Sequence, residues 1–176
     1  PWVAQNNMPS PPPILEQVRL GSCPDIDALV AALSPGLPML LRLRETPQDP
    51  HWHAEGDVHL HTGMVLESLY QDLKERPVSP DQRLELVLGA LLHDIAKPFT
   101  TRPMEIQEKI RIAALGHEAK GRSYLVPRML SWGLPYSSLQ SILGLVGDHL
   151  YPKQLVKKNK GPEEWYKIAR RVDLEL

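Results

Sequence analysis

The chain has a single cysteine, Cys23, among 176 residues. That excludes an internal disulfide and fits a reducing compartment, and a lone thiol of this kind reads as inert core or surface. It also lacks an excess of either charge. Twenty basic residues stand against 21 acidic ones, for a formal net charge of -1, so no global field draws the chain to nucleic acid or an anionic membrane and any anion site must be local. No apolar run approaches the roughly 20 residues that span a bilayer, and Pro1 to Pro13 has neither a basic leader nor a hydrophobic stretch. A cytoplasmic protein with no membrane partner is expected. No segment of four to eight residues alternates convincingly like a strand, and no repeat is visible. Residues 1–13 read as a flexible or vector-derived end, which leaves one domain over 14–176.

Proline is abundant instead, with 18 residues, about twice the average share. The prolines cluster between periodic segments, predicting short helices and sharp turns. Ile26, Leu29, Val30 and Leu33 recur at helical spacing before Ser34-Pro35-Gly36, with Asp25 placed to cap the start. Another short helix is expected over about 38 to 45. A longer one should begin at Asp57, a cap for Val58 onward, and run to about Leu73 with Val58, Val65 and Leu69 as its apolar stripe. Ser79-Pro80-Asp81-Gln82 is a capping-box start for a helix that reaches Ile95 and is stopped by Pro98. Leu84, Val87, Leu88 and Leu91 lie on one side of it and Leu86, Gly89 and Ala90 on the other, so it should be the central, buried helix. Further helices are expected from about 105 to 115, from about 117 to 131 ending at Gly133, from Ser137 to Leu150 with Gln140 completing a box, and from Pro162 onward. The expected fold class is all-α.

The end of the central helix carries His93 and Asp94 within an otherwise apolar segment. An imidazole and a carboxylate are costly to bury without compensation, and two readings arise: a structural buried pair, or ligands of a metal ion. His61, three residues after Val58 and four before Val65, lies on the buried stripe of its helix, and His149 follows Val146 by three and Ile142 by seven. Taken singly, each of these is most simply a hydrogen-bonded core or helix-end histidine. Together with His117 they make four helices directing an imidazole inward beside one carboxylate. Zinc, iron, manganese, cobalt or nickel would select that inventory over calcium or magnesium alone. The set points to a metallohydrolase.

His61-Thr62, His93-Asp94 followed by Ile95-Ala96-Lys97-Pro98, Gly116-His117-Glu118 and Asp148-His149 stand in an order that resembles the HD-domain superfamily of metal-dependent phosphohydrolases. The lead-in Glu55-Gly56-Asp57-Val58 and the Gly-His-Glu segment resemble most closely the HD domains of CCA-adding tRNA nucleotidyltransferases and of bacterial RNA end-healing kinases. The resemblance covers about residues 50 to 176. It implies a helical bundle in which His61, His93 and Asp94 hold one metal together with a late aspartate, while Asp94 bridges to a second metal held by His117 and His149. One or two divalent ions are implied (Mn, Ni, Co, Fe or Zn, with Mg possible). They would lower the pKa of a shared water for in-line attack on phosphorus.

Asp94 and Lys97 are the implied catalytic residues, Lys97 neutralising phosphate charge; a solvated lysine favoured by a helix C-terminus is the alternative. Arg122 and Arg128 are candidate phosphate contacts, or surface salt-bridge partners. The late aspartate departs from the pattern: relatives of this type continue into an Ala-Asp-x-x-Gly-Arg stretch, whereas here Asp173 stands at the edge of the stripe Trp165, Ile168, Ala169, Val172. Asp173 therefore substitutes, or the ligand lies beyond Leu176. His51, His53 and His59 read as solvated residues near the entrance, Asp57 as a cap, and Glu55 as a residue that orients the His61 helix. Glu118 reads as a ligand-supporting carboxylate or a solvated one. Lys153, Lys157, Lys158 and Lys160 read as a solvated loop or an RNA-backbone contact, with Trp52 or Tyr151 as stacking partners.

The implied substrates are phosphate esters of nucleotides or RNA ends, with a 2',3'-cyclic phosphate or 2'-phosphate favoured. A fused or associated kinase or nucleotidyltransferase domain is the implied partner. The alternative is a catalytically incomplete HD domain that binds nucleotide or supports a partner domain, with a di-iron oxygenase as a third option.

Overall fold

The structure is a computed structural model that describes residues 11–171. The chain order begins α1 (Pro13–Arg19), α2 (Ile26–Leu33), a 3₁₀ helix (Pro38–Glu45), α3 (Val58–Glu75) and α4 (Pro80–Leu92). It continues through α5 (Lys97–Thr100), β1 (Arg102–Ile106), β2 (Lys109–Ala113), α6 (His117–Met129) and a 3₁₀ turn (Leu130–Trp132). α7 (Tyr136–Asp148), α8 (Tyr151–Lys157) and α9 (Pro162–Arg171) complete it. The fold is predominantly helical, as expected.

α4 is the central helix. Its start is a reciprocal box in which Ser79 Oγ accepts from the Gln82 N–H at 3.2 Å and Gln82 Oε1 accepts from the Ser79 N–H at 3.0 Å. Leu84, Val87, Leu88, Leu91 and Leu92 are buried, and α1, α3 and α7 pack around the helix. Gly89 lets α7 approach closely, since a Cβ there would lie 3.0 Å from Leu145 Cβ.

Several expectations are corrected. α4 ends at Leu92, three residues before the expected Ile95, and His93 to Ala96 form a turn. Pro98 has no N–H to give to the Asp94 carbonyl, which instead accepts from Lys97 N at 2.9 Å. Pro98 then sits in the first turn of α5 and so starts a helix as well as ending one. The helix expected over 105 to 115 is an antiparallel hairpin, β1 pairing with β2 from Arg102↔Ala113 to Ile106↔Lys109. Its two-residue turn places Gln107 and Glu108 at φ 51° and 61°, the left-handed region that hairpins usually fill with Asn or Gly. The segment therefore carries no recognisable turn signal. The buried stripe of α3 is Val58, Thr62, Leu66 and Tyr70, with Val65 and Leu69 half-buried at its side.

The Ser137–Gln140 box does not form. α7 starts one residue earlier, after Pro135, and Gln140 donates to the Tyr136 hydroxyl instead. Lys153 and Lys157 lie on α8, where a loop was expected, and the residues over 38 to 45 are wound as a 3₁₀ helix.

Candidate metal centre

Four helix termini deliver the candidate ligands to one place. His61 lies in the first turn of α3, held there by Asp57, whose Oδ1 accepts from Leu60 N at 2.8 Å. His93 and Asp94 occupy the turn after α4, His117 opens α6 behind Gly116 at φ 73°, and His149 follows α7. All five line one pocket of about 440 Å³, with Lys97 beside them.

Asp94 is the hub. Its Oδ2 lies 3.0 Å from His93 Nε2 and 3.8 Å from His61 Nε2, while its Oδ1 lies 3.0 Å from His117 Nε2 and 3.7 Å from His149 Nε2. Two triads of potential ligand atoms share this carboxylate: His61–His93–Asp94 and Asp94–His117–His149.

The opposite side of each ring decides what these nitrogens can do. Nδ1 of His93 faces the Ala90 carbonyl at 2.7 Å, Nδ1 of His117 faces the Ala114 carbonyl at 2.6 Å, and Nδ1 of His149 faces the Val146 carbonyl at 2.9 Å. A carbonyl only accepts, so the proton of each neutral ring sits on Nδ1 and the lone pair on Nε2 points inward. His61 Nδ1 meets a carboxylate, Glu55 Oε1, at 2.7 Å and takes the same tautomer. Four lone pairs thus converge on an anionic carboxylate, and two of them, on His117 and His149, stand only 3.2 Å apart. Asp94 Oδ1 is buried with no hydrogen-bond partner. Donor chemistry and orphaned oxygen both call for a cation, and nitrogen-rich ligands with one bridging carboxylate suit a divalent transition metal.

A family model for the HD domain matches residues 59–173. The chain belongs to the HD-domain family. Membership makes it, in general terms, a metal-dependent phosphohydrolase, and the two His/Asp triads are where such a domain can hold divalent metal. No curated protein and no solved structure matches the chain. Among the described residues, no helix is long and apolar enough to cross a membrane. The matched span of the HD domain begins at His59, so the pocket residues His53, Trp52, Asp49 and Gln48 precede it.

Charge in the HD centre is tightly balanced. Burial pushes the Asp94 carboxyl up, but His93, His117 and Lys97 outweigh it and hold the group well below the ordinary carboxylate range. Burial, reinforced by His93, brings His149 down to about 4 and lowers His61. His117 runs the other way: burial lowers it, yet Asp94 raises it further. A cation next to Asp94 Oδ1, whether proton or metal, is what this arrangement stabilises. Glu55 is driven down to about 2 despite burial, through a backbone hydrogen bond and the His53 and His61 imidazoles.

Lys97 is buried, not solvated. Its Nζ lies 2.7 Å from Asp94 Oδ2 and donates to Gln48 Oε1 at 2.6 Å. Arg122 and Arg128 are not brought to the pocket: Arg122 is exposed on α6, and Arg128 stacks on Tyr124 at 3.8 Å and donates to its carbonyl. Asp173 lies outside the described residues. His59, expected at the solvated entrance, is buried with Nε2 3.1 Å from Asp27 Oδ1. His53 and Glu118 do line the pocket, and of the lysine run Lys153 joins them.

Sequence reasoning missed the hairpin wall and its latch. Asp49 accepts from Ile112 N at 3.0 Å, from His51 N at 3.0 Å and from Arg111 at 3.2 Å, tying the loop before α3 to β2. Arg111 in turn lies 5.6 Å from the Trp52 ring centre. Asp49 and Arg111 are 62 residues apart and belong to no spacing motif, so nothing local announces the pairing.

Proposed function

We propose that this HD domain hydrolyses phosphate esters of nucleotides or RNA ends, with 2',3'-cyclic phosphates or 2'-phosphates as its preferred substrates. The observation that carries the hydrolase reading is the convergence of four inward lone pairs on the Asp94 carboxylate, whose Oδ1 is left without a hydrogen bond. His61, His93 and Asp94 would hold one divalent ion, and Asp94, His117 and His149 a second. Bound there, divalent metal supplies a water acidified toward neutrality and charge to offset that on phosphoryl oxygen. Asp94 stays ionised and bridges both triads. Of the three N–H bonds of Lys97, one goes to Asp94 and one to Gln48, which leaves one to meet a phosphoryl oxygen as charge builds in the transition state.

Substrate choice rests on the rest of the pocket and on the likeness of the Glu55–Val58 and Gly116–Glu118 segments to RNA end-processing HD domains. Beyond the metal ligands, the walls carry Ile106, Ile112, Leu115 and Leu150, with Trp52 half exposed at the rim. An apolar wall with an aromatic edge excludes water and offers a face on which a nucleobase stacks. A volume of about 440 Å³ suits one nucleotide unit. Lys153 gives a cation at the mouth for an RNA backbone. A kinase or nucleotidyltransferase partner domain and a cytoplasmic setting belong to the same reading. The second reading is an HD domain that binds nucleotide without turning it over, and the same assay separates the two.

The test is hydrolysis by the purified protein of a 2',3'-cyclic nucleotide and of mononucleotides, supplied in turn with manganese, nickel, cobalt and magnesium, with Asp94→Ala as control. Metal-dependent turnover lost in the variant is the expected result. Tight metal binding with no turnover on any ester would replace it with the binding-only reading.

A further inference from the structure

The four imidazoles are not anchored alike. His93, His117 and His149 each use a carbonyl three residues earlier in the chain, Ala90, Ala114 and Val146. These acceptors are part of a helix end or of the turn leading into one, and no rotamer change removes them. His61 differs: the Val58 carbonyl three residues earlier accepts from Thr62 Oγ1 at 2.8 Å, and the His61 ring turns to another partner. Its Nδ1 depends on the side chain of Glu55, six residues earlier in the loop before α3. The same Glu55 Oε1 also accepts from His53 Nδ1 at 3.0 Å, and the His53 and His61 rings meet edge-on at 4.7 Å. The loop is folded back by the Gln48 N–H on the Gly56 carbonyl at 3.0 Å, with Gly56 at φ 112°.

We propose that Glu55 is the positioning residue for His61, fixing the ring so that its Nε2 can serve the His61–His93–Asp94 triad as a metal ligand. The inference rests on the metal-binding half of the function reading above and is independent of substrate.

The physical reason is preorganisation. A ligand imidazole must present Nε2 unprotonated and in a fixed orientation, and an acceptor on Nδ1 secures both; losing such an acceptor typically costs 10–100-fold in metal affinity. On the Asp94–His117–His149 side that acceptor is main chain, so its ligands are in place whenever α6 and α7 are folded. On the His61 side it is a side chain shared with a second imidazole, so one substitution at Glu55 removes the support of His61 and leaves that of the other three rings in place.

Manganese titration of the full chain by calorimetry, after stripping with chelator, reads both subsites. Wild type should take up two equivalents. Glu55→Ala should leave one of them unchanged and weaken the other by 10-fold or more, while Glu55→Gln, which keeps an acceptor oxygen, should lie between the two proteins. His61→Ala should reproduce the Glu55→Ala titration, and the double variant should lose nothing further, as two residues acting through one ligand require. Chelator-treated Glu55→Ala should unfold thermally as wild type does, separating a ligand effect from a folding defect. Loss of both equivalents together, two unchanged equivalents, or additive losses in the double variant would each overturn the proposal. So would a single equivalent in wild type. Two equivalents, only one of them weakened by Glu55→Ala, without any ester hydrolysis would sink the phosphohydrolase reading and leave this one standing.

Discussion

Asp94 and Lys97, proposed to act on the phosphate ester, also bear on stability. Both side chains are buried and paired at 2.7 Å, and Gln48 completes the lysine's contacts. Asp94→Ala should abolish hydrolysis and also destabilise the fold by about 3–5 kcal/mol, because it strands a buried ammonium. His93→Ala removes a ligand but strands no charge, so it should abolish activity with a smaller loss of stability, leaving the helical circular dichroism largely intact. Adding Lys97→Met to Asp94→Ala should recover much of the stability in chemical denaturation and none of the activity. If the double variant is no more stable than Asp94→Ala, the stranded lysine is not the source of the loss. His93 and Asp94 could be picked out from the chain alone, since a polar pair ending an apolar helix is conspicuous. The burial of Lys97 could not, because it depends on Gln48, 49 residues away.

At the level of elements, the centre depends on how closely α7 and the hairpin approach it. Gly89→Ala places a Cβ 3.0 Å from Leu145 Cβ and 2.6 Å from Leu145 Cδ1. Overpacking of about 1–3 kcal/mol should outweigh the gain of about 1 kcal/mol in helix propensity, so the variant should melt below wild type in spite of its better helix former. The hairpin is latched by Asp49, whose carboxyl is lowered from its ordinary value: burial opposes the shift, while the Ile112 and His51 N–H groups and Arg111 prevail. A depressed folded-state pKa means the latch is at full strength above the ordinary carboxylate value of 3.8 and weakens as pH falls through the lower folded value. Amide exchange at Ile112 should therefore accelerate below about pH 4 in wild type. In Asp49→Asn it should be fast at neutral pH as well; exchange that ignores both changes would remove the latch from the account. The helices α2, α3 and α4 were legible because each begins with a capping side chain and a periodic stripe. The hairpin was not, because Gln107 and Glu108 occupy left-handed positions without the residues that usually mark them.

For the whole molecule, folding assembles four ligand-bearing segments that the chain separates by 88 positions, from His61 to His149. A metal that binds this assembly and not the unfolded chain stabilises it by mass action, about 2.7 kcal/mol at a free concentration 100 times Kd. Manganese at that level should raise the thermal midpoint by roughly 5–10 °C over the chelated protein, given about 2–4 °C per kcal/mol at this size. In His93→Ala the increment should shrink, and an unchanged increment would place the stabilising ion elsewhere. Helical class, the central α4 and the residue types of the metal centre follow from local rules, namely caps, periodicity and the cost of burying His93 and Asp94. Those rules act within a few residues, and so can be read along the chain. The tautomer of each imidazole, the pairing of Lys97 with Asp94 and Gln48, the dependence of His61 on Glu55 and the hairpin wall latched by Asp49 emerge only on folding. Each depends on a specific acceptor or partner reaching hydrogen-bonding distance in three dimensions, and residue order alone does not encode those distances.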